Sequence, residues 1–252
     1  NSDGFSLGTR TDVNGSGAYV GWQWKESATA GFDIVSFTGN SSDGATTQDI
    51  SHSLSAVPHW IIVKNGADST NWAVYHKANT SSPETEVIYL NLTNATADDN
   101  AFFGDTAPTS SQFRVGGDNS VNGNSDSMIA YLWSEKQGFS KFGSFTGNGN
   151  ADGPFVYTGF KPAWVMAKRT GTSGQNWEIH DNKRPEYNSS SKRLWANLSN
   201  AEATEDPYLD LVSNGFKIKT SDTNYNASDS YIYMAFAESP FVNSNGIPNN
   251  AR

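Results

Sequence analysis

The 252-residue sequence predicts an all-β protein: tandem antiparallel β-sandwiches, jelly-roll-like, in repeats of about 105 residues. Three observations point there. The chain restates itself about a hundred residues on, which is the signature of a repeat array. Gly31-Phe32-Asp33 leading to Phe37-Thr38-Gly39-Asn40 is answered by Gly138-Phe139-Ser140 leading to Phe145-Thr146-Gly147-Asn148. Pro58-His59-Trp60 is answered by Pro162-Ala163-Trp164, Asn71-Trp72 by Asn176-Trp177, and Asn91-Leu92-Thr93-Asn94-Ala95 by Asn197-Leu198-Ser199-Asn200-Ala201. Helical periodicity is nearly absent, and short apolar or alternating runs are broken by Gly, Asn, Asp and Ser clusters roughly every ten residues. Only 17% of residues are charged while 13% are aromatic, a balance that favours half-buried sheet surfaces.

The elements follow in order. Residues 1–26 read as the closing hairpin of an upstream unit: Phe5-Ser6-Leu7-Gly8, then Val13-Asn14-Gly15, then Tyr19 to Glu26. The same series recurs as Phe113-Arg114-Val115-Gly116 with Val121-Asn122-Gly123, and as Phe216-Lys217-Ile218 with Tyr225-Asn226-Ala227. Asn-Gly tolerates positive φ and predicts a tight turn. A lone hairpin is marginal, so this one is expected to complete or cover the following sheet. Residues 27–135 form the first unit, with strands near 32–38, 46–51, 58–64, 71–76, 86–92, 112–115 and 127–134. Residues 136–240 form the second, with strands near 139–145, 153–158, 162–168, 175–180, 193–198, 215–219 and 230–237. A short helix or irregular turn is expected after Asn94 and Asn200. Residues 241–252, led by Pro240, read as an extended C-terminal arm.

The last strand appears three times: YVGWQWKE (19–26), MIAYLWSE (128–135) and YIYMAFAE (231–238). Side chains alternate across a strand. Val20, Trp22 and Trp24, Ile129, Tyr131 and Trp133, and Ile232, Met234 and Phe236 therefore mark the expected core face. The semi-apolar opposite faces, Met128/Leu132 and Tyr231/Tyr233, are expected to pack against neighbouring subunits. Glu26, Glu135 and Glu238 close each copy, as turn acceptors or partners for Lys64 and Lys168.

Net charge is −9, the pI is about 4.8, and no basic stripe exists, which disfavours nucleic acid. No cysteine is present, so neither disulfides nor thiolates operate. No apolar run suits a membrane span, and no membrane insertion is expected. The chain lacks an initiator Met and opens inside a repeat, so it is read as the C-terminal part of a longer polypeptide.

Catalytic signals are weak. His52, His59, His76 and His180 do not occupy matching places in the two units; Tyr75 aligns with His180, and His76 with Asp181. Paired carboxylates for glycoside cleavage are offered by Asp98 with Asp99 and by Glu202 with Glu205 and Asp206. No cofactor is indicated. Asp118, Asn122, Asn124 and Asp126 form an oxygen-rich loop that is a weak calcium candidate, off any EF-hand spacing. The repeated Trp60, Trp164, Trp72 and Trp177 read as core. Trp195 has only Tyr89 as its counterpart. With Tyr187, Lys192 and Arg193 it forms the surface expected to bind a ligand, beside the 182–187 loop that most distinguishes the units.

Gly-Phe, Phe-Thr-Gly-Asn, Pro-x-Trp-x-x-x-Lys, Asn-Trp and the ending Ala235-Phe236-Ala237-Glu238-Ser239-Pro240-Phe241 through Ala251-Arg252 cover almost the whole chain. Together they resemble an uncharacterised C-terminal repeat domain of large tailed-bacteriophage virion proteins, often following a concanavalin-like or laminin-G-like module. The resemblance implies an extracellular virion component without catalytic residues: a tail fibre, or a surface fibre or decoration part. Its partners would be copies of itself (a trimer is one option), other virion proteins and host-surface glycans. A purely architectural capsid or tail module and a polysaccharide depolymerase are the alternative expectations.

Overall fold

The computed structural model describes residues 4–185 and 189–238, without the side chains of residues 189 and 205–207. After a single-turn helix α1 (Thr11–Asn14), the first region holds β1 (Phe32–Thr38), β2 (Gln48–Ser51), β3 (Trp60–Asn65), β4 (Ala73–His76), β5 (Glu86–Tyr89), β6 (Ala97–Asp98), α2 (Asn100–Phe103), β7 (Gln112–Val115), α3 (Asn119–Asn122) and β8 (Ser127–Trp133). The second holds β9 (Ser140–Thr146), β10 (Phe155–Tyr157), β11 (Pro162–Arg169), β12 (Trp177–Asp181), β13 (Ser189–Trp195), β14 (Ala203–Val212), β15 (Gly215–Ile218), α4 (Thr223–Asn226) and β16 (Ser230–Ala237). The protein is all-β, and every strand pairing is antiparallel.

The first sheet runs β1-β8-β3-β4-β5-β6, with β2-β7 as a separate ribbon. The second runs β9-β16-β11-β12-β13-β14-β15-β10, the same sequence of neighbours with every number raised by eight. Its long β14 pairs with both β13 and β15, which joins large sheet and ribbon into a nearly closed barrel. In the first region α2 stands where β14 would continue, so the ribbon stays detached. The expected irregular segment after Asn200 is therefore a strand from Ala203 onward. The open edge of β13 supplies the hydrogen-bonding partner that its sequence did not reveal.

Three apolar clusters fill the molecule. One lies inside the first region (Ile61, Val63, Tyr75, Phe102, Phe113, Met128, Leu132) and one inside the second (Val165, Ala167, Leu209, Phe216, Tyr231, Tyr233). The third is a seam between the two large sheets: Trp60, Ile62, Val74 and Trp133 face Phe142, Trp164, Met166, Trp177, Met234 and Phe236. The trio Ile129/Tyr131/Trp133 and its counterpart Ile232/Met234/Phe236 thus turn toward the seam, not into a private sandwich core. Met128/Leu132 and Tyr231/Tyr233 fill the interiors of their own units, so they are not subunit contacts. Alternation could not separate these options, because a strand buried on both faces reads as one continuous apolar run.

Polar bonds tie the seam. His76 Nδ1 accepts from the Ala78 amide (3.0 Å), which leaves Nε2 to donate to the Tyr233 carbonyl across the seam (3.1 Å). Trp177 Nε1 donates to the Tyr89 carbonyl (2.8 Å). At the rim Glu135 takes both Lys77 (2.7 Å) and Lys141 (2.5 Å). Lys64 and Lys168, the expected partners of the closing glutamates, instead donate to the Asn65 and Arg169 carbonyls. Glu238 pairs with Lys183.

Residues 4–26 contain α1 but no ladder, so the expected hairpin does not extend the following sheet. Trp22 and Trp24 instead cap the seam edge-on against Trp133, Trp164 and Phe236. The tight Asn-Gly turn is also absent. Asn122 ends the single-turn α3, and the φ of Gly123 is −54°. The C-terminal arm, 241–252, lies outside the described residues.

Candidate functional site

The expected ligand surface divides. Tyr187 lies outside the described residues. Side chains alternate along β13, so Lys192 and Leu194 take one face while Arg193 and Trp195 turn toward the second unit's interior. Lys192 is half-buried and pairs with Glu202 (3.1 Å), which also receives Arg184 (2.9 Å). Arg193 is buried and is not a surface residue. Its guanidinium lies 4.4 Å from the Tyr208 ring and 5.0 Å from the Trp195 ring, with Glu178 Oε1 3.6 Å from Nη1. Trp195 is half-buried beside this cation.

The cluster around Arg193 marks where the units diverge. Glu178, His180, Arg193 and Tyr225 stand at the places of Ala73, Tyr75, Val87 and Val121, which are apolar or aromatic core in the first unit. His180 Nδ1 shares a hydrogen bond with Ser190 Oγ (2.9 Å). Burial, reinforced by Arg184 and Arg193, lowers its pKa to about 3, so the ring is neutral. A buried ion pair of this kind is weak evidence of stabilisation, because desolvation offsets the charge attraction.

The calcium candidates do not converge. Asp118 caps α3 by accepting from the Ser120 amide (2.7 Å), and Asp126 accepts from Asn65 (2.7 Å). Asn122 points inward, donating to Asn40 Oδ1, the Thr46 carbonyl and the Gly116 carbonyl while accepting from the Asn40 amide. Among the described residues no three His, Cys, Asp or Glu side chains gather as a metal site. Of the candidate carboxylates, Asp99 caps α2 and Glu202 is engaged by Arg184 and Lys192, while the side chains of Glu205 and Asp206 lie outside the described residues. His59 Nδ1 accepts from the Glu135 amide (2.8 Å), and burial lowers its pKa to about 4.

The described surface does carry one aromatic platform that sequence reasoning missed. β10 is the outer strand of the second sheet. Val156 points inward, whereas Phe155 and Tyr157 share the outer face at 48% and 64% exposure. Neighbours on one face of a strand sit roughly 7 Å apart, a spacing two stacked sugar rings can span. The Phe155 ring lies over Gly215, where a Cβ would meet it at 3.0 Å. Lys217, opposite Phe155, bonds Asp152 (2.6 Å) and holds that carboxyl below its usual range. The platform thus joins two apolar ring faces to a charged donor and acceptor. The signal was available: the matching registers put Phe155 and Tyr157 where the first unit has Asp49 and Ser51.

No curated protein and no solved structure matches the chain. Residues 1–240 match the family described as Domain of unknown function (DUF7483), and the chain belongs to that family.

Proposed function

We propose that this chain is a non-enzymatic structural module of a bacteriophage virion, a tail-fibre or surface-fibre part that contributes to host-surface attachment. It is built, on this reading, from two tandem jelly-roll-like copies of one β-sandwich unit. The eight-step offset between the two strand orders supports the repeat. The virion reading rests on the sequence resemblance. Attachment is carried by one observation: two exposed aromatics at i and i+2 on the outer strand β10, beside Lys217 and Asp152. Sugar C–H faces stack on such rings, and their hydroxyls take the flanking charges. Assembly of several copies would turn weak sites into avidity.

The test is saturable binding of fluorescently labelled chain to host cells, before and after stripping surface polysaccharide. Phe155→Ala with Tyr157→Ala should reduce binding at least tenfold. Exposed positions change stability by only about 0.5 kcal/mol each, so the variant stays folded. Binding that survives both substitutions sinks the platform. An assembled oligomer that binds no cell favours the second reading, a purely architectural module. The open face of residues 4–26 favours that reading independently.

A further inference from the structure

Residues 4–26 share their internal side-chain hydrogen bonds with the segment that closes the second unit, and one of them with the first, yet lack what those segments close. Tyr19 Oη accepts from the Gly15 amide (2.9 Å) and donates to the Thr11 carbonyl (2.6 Å). Tyr231 Oη accepts from the Ala227 amide (2.8 Å) and donates to the Thr223 carbonyl (3.1 Å). Asn14 Nδ2 donates to the carbonyl six residues earlier, Gly8 (2.7 Å), as Asn122 does to Gly116 (3.0 Å) and Asn226 to Thr220 (2.7 Å).

The resemblance stops at the partner. Asn122 also takes the Asn40 amide and donates to Asn40 Oδ1. Asn226 does the same with Asn148. Both partners end a Phe-Thr-Gly-Asn segment. Among the described residues no such bond reaches Asn14, which is exposed while Asn122 and Asn226 are fully buried. The apolar positions agree. Phe5, Leu7, Val13 and Tyr19 are 57%, 49%, 47% and 52% exposed, whereas Phe113, Val115, Val121, Phe216, Ile218, Tyr225 and Tyr231 are at most 2% exposed. Four large apolar side chains exposed at places that are buried in both other copies point to a covering partner.

We propose that residues 4–26 are the closing segment of a third sandwich, and that this face docks an open unit of the same kind. Its Phe-Thr-Gly-Asn strand end would engage Asn14. A second copy of this chain does not fit, because both of its Phe-Thr-Gly-Asn segments already hold Asn122 and Asn226. The family match includes this segment. The inference rests on the repeat reading alone, so failure of cell binding leaves it standing.

The test places a further copy of residues 27–111, an open unit, ahead of residue 4 of the full chain. Hydrogen exchange is then followed at Val13, Asn14 and Gly15. Protection should rise at least a hundredfold, toward that of Val121 to Gly123. The change Asn40→Ala in the added copy alone should abolish the gain. Exchange unchanged by the addition, or a gain untouched by that substitution, overturns the proposal. So does concentration-dependent protection in the unmodified chain, which would make a second copy the occupant.

Discussion

Asn226→Ala should be among the most damaging single substitutions in the second unit. The buried amide donates to Asn148 Oδ1 (3.0 Å), the Asn150 carbonyl (2.6 Å) and the Thr220 carbonyl (2.7 Å), and accepts from the Asn148 amide (2.9 Å). Alanine leaves two carbonyls and one amide of the exposed Asn148 and Asn150 and the half-buried Thr220 without this partner. Each orphaned group costs about 1–3 kcal/mol, and some relaxation is unavoidable, so the expected loss is about 3–5 kcal/mol. In a domain of this size that lowers the melting temperature by roughly 10 °C. Asn122→Ala should match it. Asn14→Ala removes one exposed bond to Gly8 and should cost under about 1 kcal/mol. Scanning calorimetry of the three variants provides its own control, since residue and local helix are the same. Three equal shifts, or an Asn226→Ala shift below about 2 °C, would refute the reasoning.

Burial lowers the pKa of both His76 and His180 to about 3 from 6.5. The unfolded chain therefore binds their protons first as pH falls, and stability should drop by roughly 2 kcal/mol per histidine between pH 6.5 and 5. A urea midpoint that stays flat over that interval contradicts this. His76→Phe fills the space but orphans the Ala78 amide and the Tyr233 carbonyl, and should cost about 2–4 kcal/mol by chemical denaturation. It should also remove about a third of the acid sensitivity that His59, His76 and His180 share. Gly147→Ala drives a Cβ into the Ala227 carbonyl and should destabilise by about 2 kcal/mol or more. Trp177→Ala empties the centre of the seam and removes the bond to Tyr89, so a loss of about 3–5 kcal/mol is expected by calorimetry.

Much of the strand framework was legible because the same residue patterns occur twice in the sequence. Trp60, Trp164 and Trp177 were recognisable as core. Which core was not, since Ile61 and Ile62 are equally apolar and point to different clusters. Asn122 looked like a turn residue because composition cannot distinguish an amide aimed at solvent from one aimed inward. Arg193 looked like a surface cation because its counter-charge, Glu178, lies on a neighbouring strand 15 residues earlier. Phe155 and Tyr157 escaped notice for the opposite reason: their short strand carries only one inward residue.

The seam also governs where this molecule can be cut. In a beaded array, a unit added or lost by recombination leaves its neighbours intact. Here each large sheet presents a water-intolerant face to the other, with Trp60 and Trp177 at its middle. A break in the Glu135 to Phe139 connection that freed either half would release a sticky sheet rather than a domain. Gene rearrangements that part the two halves should therefore yield chains that aggregate.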